Sequence, residues 1–443
     1  MDSNKIDIEC LKRNPDYKGS VQDIYKVRYN NEPHLVCRAS DAGSIFDVGT
    51  IFTIPRSGER RTTLRHYIYS LLRDPCTWRE LTESDFSACY ADENMVRFLL
   101  KNPVFEKIKS EGVPTHHVGI INSETGEIIH SVVSSIKSNL VLIKEFPVQK
   151  PRLFTLLRRP AWDYSEYYNH KKKIMALEHV FRLGNPGGSS IQQRYEKACE
   201  SGGEKTGIDF LEYLGIKPPL LRWMTFDNMI YDCATKYEAF DRHLDWQETV
   251  HISGVSSTIF ERTVLLLIYC TVMVNKFFKE LGFALWDIKW EVAVDGDNVI
   301  VVDTIDQDSV RITGSTNEAG HLCFVHFNKQ AVRDYYRFIH QNWYSALNEC
   351  KRLSKSDSRG RTFMQIYMEG VKTGDYPEIP TMDPDYAEFQ ARKYDFTVAP
   401  IYDSLSPQNV EMRKAELIHA EIDFYKKAGK IEEFLAENSI VNI

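Results

Sequence analysis

Trp286-Asp287-Ile288-Lys289-Trp290-Glu291-Val292-Ala293-Val294-Asp295-Gly296-Asp297-Asn298-Val299-Ile300-Val301-Val302-Asp303 is the stretch on which the reading of this chain turns. Side chains alternate faces along a strand, so Asp287, Lys289 and Glu291 share one face. Trp286, Ile288, Trp290 and Val292 share the other, which can lie on a core. The turn residues at 295–297 predict a hairpin. If the turn centres on Gly296, Asp303 falls opposite Lys289, beside Glu291; a two-residue turn puts it on the wrong face. Two carboxylates on neighbouring strands suit Mg²⁺, a hard cation commonly held by one or two carboxylates plus nucleotide phosphates. A lysine between them can neutralise phosphate charge. An exposed hairpin carrying an ordinary cross-strand ion pair has the same spacing, and spacing alone does not separate the two.

Outward from this hairpin, the 443-residue chain is 43% hydrophobic and 26% charged, the balance of a folded protein large enough for two or three lobes. Its longest apolar run, Thr263 to Val274, is too short for a bilayer and reads as a buried helix within Ser256–Leu281. The polar N-terminus has no signal core, so a cytoplasmic protein is expected. Nine cysteines without a C-x-x-C pair point to reduced thiols. A net charge of −7 argues against nucleic acid as a partner.

The N-terminal part reads as a β-rich lobe, 1–174. Ile24–Tyr29 and His34–Arg38 form a hairpin about 30–33, Ile45–Ile54 reads as a strand, and Thr62–Leu72 as a helix. Glu93–Lys109 has helical spacing, and Thr115–Ile121 with Glu127–Val133 reads as a second hairpin. Residues 147–172, rich in proline, arginine and aromatics, read as an insertion. A second lobe, 175–345, opens with the strand Met175–Arg182 and a loop at 184–190. Ala331–Lys351 reads as a helix within which Tyr335, Tyr336 and Trp343 supply core. A helical extension, 346–443, ends in Asn409–Lys427. Its aromatic-rich helices suit covering a cleft, forming a homo-oligomer or docking a partner. His116 and His117, adjacent on a strand, are expected to split between core and surface. Lys171–Lys173 reads as a solvated run.

Several blocks now resemble the SAICAR synthetase family. Asp287-Ile288-Lys289-Trp290-Glu291, Asp303 and Asp308-Ser309-Val310-Arg311 are similar to its D-x-K-x-E … D-E … D-x-S-R signature. Lys18-Gly19 through Asp23 and Tyr25 resembles K-G-K-x-R-D-x-Y. Ser40-Asp41 through Ser44, Phe46 and Asp47-Val48 resembles T-D-R-x-S-A-F-D-V. Gly112-Val113-Pro114-Thr115-His116 is similar to G-I-P-T-H, and Met175-Ala176-Leu177-Glu178 through Arg182 to V-P-L-E-V-I-V-R. Gly188-Ser189, Thr235-Lys236-Tyr237-Glu238 and Lys329-Gln330 with Arg333-Asp334 follow in the family's order. The resemblance covers about residues 17–345.

It implies an α+β fold of two lobes, related in shape to protein kinases, with ATP in the cleft between them. It implies Mg²⁺ on Glu291 and Asp303, with Lys289 and Asp287 at the reacting centre. Lys18, Met175, Leu177, Glu178 and Lys236 fall where the family meets the nucleotide, residues 175–178 through their backbone. Asp41, Ser44, Asp47, Arg182, Ser189, Arg311 and Lys329 fall where it meets its other substrates. The implied activity joins a small-molecule carboxylate, one that can carry a phosphoribosyl group, to the amine of an amino acid such as aspartate.

The chain departs from the pattern at Ser20 and Gln22, where the family carries lysine and arginine, at Ala42, an arginine in T-D-R, and at Thr304 and Val310. Three functions stay open on the sequence: a SAICAR synthetase of purine biosynthesis, a paralogous ligase acting on another carboxylate in specialised metabolism, and a non-catalytic nucleotide-binding relative.

Overall fold

A computed structural model describes residues 4–131, 137–238, 241–357, 359–402 and 406–441. The first lobe opens with β1 (Tyr17–Lys18), β2 (Gln22–Tyr29) and β3 (Glu32–Ala39), then the small ribbon β4 (Ala42–Ser44) and β5 (Thr50–Thr53). The turn between β2 and β3 is Asn30-Asn31, both left-handed, the conformation that closes a two-residue hairpin without splaying its strands. Pro33 therefore lies inside β3, not in the turn. The expected strand Ile45–Ile54 is shorter, because Phe46, Asp47 and Gly49 all take positive φ and break its first half into a loop.

Next come α1 (Ser57–Arg73), α2 (Pro75–Arg79), α3 (Glu83–Ser87), α4 (Glu93–Lys101) and α5 (Pro103–Glu111). The single helix expected over 93–109 is thus two. Pro103 forces Asn102 out of helical conformation, and the Asn102 side chain then caps α5 by accepting from Val104 N–H. β6 (His117–Ile121), β7 (Ile128–Ile129) and β8 (Leu140–Lys144) complete an antiparallel sheet in the order β1-β2-β3-β8-β6-β7. Residues 132 and 133 of the second expected hairpin lie outside the described residues. The 147–172 stretch forms an exposed two-stranded hairpin, β9 (Arg152–Leu156) and β10 (Arg159–Asp163), before β11 (Lys172–Ile174).

The second sheet is built around one long strand. β12 (Leu177–Gly184) leads into α6 (Ser190–Tyr213), two helical stretches joined at Gly203, then β13 (Thr225–Thr235), α7 (Trp246–Ser253) and α8 (Ser257–Glu280). β14 (Ala284–Asp295), β15 (Asn298–Val302), β16 (Val310–Glu318) and β17 (His321–His326) follow. β14 pairs with β12, β16, β11 and β15, all antiparallel. Its apolar face packs on α8, where Trp290 is buried and donates its indole N–H to Thr271 at 2.9 Å. Helix α8 is long and apolar enough to cross a membrane by composition, yet 61% of its most apolar window is buried inside the fold. Tyr269 stacks on Phe105 at 5.0 Å, so α8 is the core helix of this lobe.

The remaining helices are α9 (Lys329–Ile339), α10 (Gln341–Ser354), α11 (Phe363–Thr373), α12 (Pro384–Tyr402), α13 (Pro407–Lys427) and α14 (Ile431–Asn438), followed by β18 (Ser439–Val441). His340, at φ −113° and ψ 48°, breaks the helix expected over 331–351. Tyr335, Tyr336 and Trp343 are buried, as expected of core aromatics. The extension closes back on the body: α12 lies along α1, and β18 pairs with β17 to extend the second sheet.

Two expectations about charge and burial hold only in part or fail. Lys171 and Lys172 are exposed, as a solvated run requires, but Lys173 is buried, donating to Gly254 O at 2.6 Å and to Tyr167 O. His116 and His117 are both buried, because β6 begins only at His117 and is irregular before Gly119.

Between α12 and α13, Lys393 (0% exposed) donates to Glu421 (2% exposed) at 2.7 Å, with Tyr386 and Gln390 completing the carboxylate's partners. Lys393→Met leaves that carboxylate buried without its counter-charge. We expect it to lower the unfolding free energy by ~3–5 kcal/mol, read from urea denaturation; a loss within ~0.5 kcal/mol would mean the pair is solvated.

Candidate active site

Lys289 sits at the centre of the polar face of β14. Its Nζ lies 2.9 Å from Glu178 Oε1, 3.1 Å from Glu291 Oε1 and 3.8 Å from Asp303 Oδ2. Lys236, just past the end of β13, pairs with the other oxygen of Glu291. Burial disfavours the charge on Glu291, but Lys236 and Lys289 outweigh it and hold its carboxyl below the ordinary range. Asp303 goes the other way: burial and then the neighbouring Glu291 push it up to about 6. Lys289 is held in its charged form by Glu291, Asp303 and Glu178 despite its burial. Two adjacent carboxylates, Glu291 buried and Asp303 half-buried and reluctant to ionise, are a hard-oxygen donor pair that a divalent cation would stabilise. Among the described residues no cluster of three His, Cys, Asp or Glu forms a metal cage on its own.

The turn of this hairpin has two residues, since Asp295 pairs with Asn298 and Glu291 with Val302. Simple alternation would turn Asp303 away from Lys289. The strand instead ends at Val302, and Asp303 takes a left-handed φ of 69° that swings its carboxylate back. The strained residue is over-determined by its surroundings. Its carbonyl accepts from Tyr69 Oη at 2.8 Å and lies 3.1 Å from His116 Nε2. The strand before it is tied to the first lobe by His116 N–H to Val301 O and Val301 N–H to Pro114 O.

Beyond Asp303 a tight loop brings in arginines from α1. Arg65 pairs with Asp306 at 3.1 Å, and Arg61 pairs with Asp308 at 3.0 Å and donates to Ser40 O. These two were absent from the expected site, although arginines one turn apart on a helix facing a core are the signal that would have found them. Asp308 Oδ1 also accepts from Tyr394 of α12.

A cluster of cationic side chains lies further along β14. Asp287 Oδ2 is 3.6 Å from Arg182 and 3.5 Å from Arg311. Arg182 also bonds Asp232 at 2.8 Å and Ser190 Oγ at 3.0 Å, and Arg194 joins the same Asp232 at 2.7 Å. Arg311 Nη1 is buried with no hydrogen bond. Lys329 and Arg333 are both driven toward the neutral form, first by burial; Arg333 is also crowded by Arg311, and Lys329 by Arg333 and Arg61. Arg61, Arg311, Lys329 and Arg333 thus share chiefly Asp287 and Asp308. The shortfall of negative charge is what an anionic ligand would make good.

Other expected residues have further tasks. Asp41 accepts from Arg56 N–H and Gly58 N–H at the start of α1, and Asp47 pairs with Lys351 at 3.1 Å on the surface. Ser189 Oγ caps α6 by accepting from Ile191 N–H. Met175 N–H and Ala176 O are taken by Val292 O and Lys236 N–H. Leu177 is buried opposite Thr235, and Glu178 enters the site through its carboxylate rather than its backbone. Ser44 is half-buried on β4, and Lys18 is exposed on β1.

The chain is similar to several known proteins. One relative, a protein of Archaeoglobus fulgidus provisionally named a phosphoribosylaminoimidazole-succinocarboxamide synthase, is 28% identical over 250 residues. The match covers 56% of this chain and 66% of that protein, a little under two thirds of its length. Among solved structures, SAICAR synthase from Saccharomyces cerevisiae, complexed with SAICAR, aligns at 15% identity with a TM-score of 0.47, over 87% of this chain and 94% of that one. A SAICAR synthetase in complex with ADP aligns at 12% identity and a TM-score of 0.42, over 82% and 99%. The sequence profile of SAICAR synthetase matches residues 16–350. Matched over most of its length, the chain belongs to the SAICAR synthetase family of ATP-dependent ligases.

Proposed function

We propose that this chain activates a carboxylate as an acyl phosphate with ATP and joins it to the amine of aspartate, the carboxylate belonging to a phosphoribosyl-linked ring. One observation carries the reading. Lys289 and Asp287 stand two residues apart on one strand face, roughly 7 Å along it. The first belongs to the carboxylate cluster, and the second anchors Arg182 and Arg311. A nucleotide's phosphate tail and an anionic acid would therefore meet over β14.

A carboxylate does not acylate an amine at neutral pH, because oxide is a poor leaving group. Attack of its oxygen on the γ-phosphorus of ATP releases ADP and forms the acyl phosphate. The amine then attacks the acyl carbon, the carbon–oxygen bond to phosphate breaks, and the amine's proton passes to solvent. Held by Glu291 and Asp303, Mg²⁺ would supply stabilisation of the charge spread over the transferred phosphoryl group. Lys289 neutralises the same region from the protein side, and Lys236 keeps Glu291 ionised. Asp287 orients the two guanidiniums. Arg311, Lys329 and Arg333 hold the acid's negative groups, and the start of α6, beside Arg182, offers backbone N–H groups to a phosphate. Positioning supplies most of the rate in such a scheme.

A second reading rests on Ser20, Gln22 and Ala42. Loss of three cations near the nucleotide and substrate loops favours a carboxylate other than the purine intermediate. Phosphate release with ATP, Mg²⁺ and carboxyaminoimidazole ribotide, with and without aspartate, separates the two. Turnover that needs both selects the purine reaction; turnover only with another acid selects the second; none with any acid overturns the proposal.

Glu291→Ala and Asp303→Ala should each lower kcat at least ~100-fold with the circular dichroism spectrum unchanged. Near-normal activity in either would remove the metal assignment. Tyr69→Phe, which deletes one donor to the Asp303 carbonyl, should raise the Mg²⁺ concentration for half-maximal rate about five- to tenfold. At saturating Mg²⁺ kcat should recover, and an unchanged Mg²⁺ requirement would mean that the kink holds without it.

A further inference from the structure

Residues 437 and 438 lie far beyond the matched 16–350, yet they reach the loop expected to face the substrate. Glu437 bonds Arg222, before β13, at 2.9 Å and Arg337 of α9 at 3.2 Å, while its backbone carbonyl accepts from Trp223 Nε1 at 2.8 Å. Asn438 is 1% exposed; its Nδ2 donates to Asp334 Oδ2 at 3.2 Å, and its Oδ1 is buried without a partner. Asp334 is in turn held by Gln330 Nε2 at 2.9 Å. Gln330, Asp334 and Arg333 share α9 with Lys329, so the tail braces the helix that carries two of the four pocket cations.

The same two residues bear on the loop between β12 and α6. A methyl group on Gly187 would lie 3.1 Å from Glu437 O and 3.6 Å from Asn438 Oδ1, and 3.0 Å from the Trp223 ring. Gly188 is left-handed at φ 70°, and a methyl group there would lie 3.2 Å from Gln330 Nε2. The loop is thus pinched between the tail and α9, with Arg182 at its start and Ser189 at its end. β18 anchors the tail by pairing Ser439 and Ile440 with Cys323 and Leu322.

We infer that Glu437 and Asn438 are positioning residues that clamp loop 185–189 against α9, so that the C-terminal segment sets the affinity for the anionic acid substrate. This rests on the reading of Arg182, Arg311, Lys329 and Arg333 as the acid's contacts. The segment touches none of the phosphate-transfer cluster, so its effect falls on one substrate.

The test uses full-length protein carrying Asn438→Ala, and separately Gly187→Ala, which crowds the tail from the loop side. Amide hydrogen exchange in 185–191 should accelerate at least about tenfold in both, while 288–292 in β14 stays unchanged. With carboxyaminoimidazole ribotide, Mg²⁺-ATP and aspartate, KM for the ribotide should rise about five- to tenfold with KM for ATP unmoved. Unchanged exchange in the loop overturns the clamp; so does a rise in both KM values, or exchange that accelerates throughout β14. If the wild-type protein proves inactive with this acid, the proposed reaction fails on its own, and the exchange result still decides the clamp.

Discussion

Placing two carboxylates side by side inside a protein is unfavourable, and the rest of this site follows from how that cost is met. Glu291 is buried and Asp303 half-buried beside it, and Lys289 and Lys236 offset their charge. The arrangement needs four strands to converge: Glu178 from β12, Lys236 just after β13, Lys289 and Glu291 from the middle of β14 and Asp303 just after β15. That convergence explains why β14 is the longest strand and the best-paired. Its other face is locked to α8 by Trp290, whereas Trp286, at the register shift between Leu285 and Asp287, packs on Trp223 and Phe324 instead. A charge cluster of this kind gains little for stability by itself and depends on geometry held from outside.

Much of this was legible in the sequence, and the exceptions are instructive. Alternation along 286–292 placed Asp287, Lys289 and Glu291 on one face, because a strand's period of two leaves no other option. Asp303 was assigned the right neighbours for an incomplete reason. Alternation with the observed two-residue turn points it away, and the left-handed kink that restores it depends on Tyr69 and His116, remote in sequence. Apolar spacing alone runs on through Pro103 and through the left-handed Phe46 and Asp47, so it misses the breaks they make in helix and strand. The double glycine at 202–203 masked α6 in the same way.

The cationic cluster beside Asp287 is legible only in part. Arg182 and Arg311 were found through their place in ordered motifs, but their neighbours Arg61 and Arg65 lie on a helix whose partners, Asp306 and Asp308, follow the hairpin some 240 positions later. Arginines on the core-facing side of a helix announce that they need anionic partners, but not which distant carboxylates those will be. Asp41 and Ser189 show the converse: residues in motif positions that also hold the backbone of α1 and α6. A side chain that caps a helix is fixed in place, which suits a binding site better than a free one does.

The pairing of β18 with β17 bears on how the molecule is made. Ribosomes deliver roughly 5–20 residues per second, so the open edge of β17 waits on the order of ten seconds before its covering strand emerges. Over that interval the nascent sheet presents unpaired backbone groups to whatever else is nearby. Slow decoding or an early stop late in the message would leave that edge bare in the cell, inviting association between unfinished copies, even with every residue of the β14–β15 hairpin already in place.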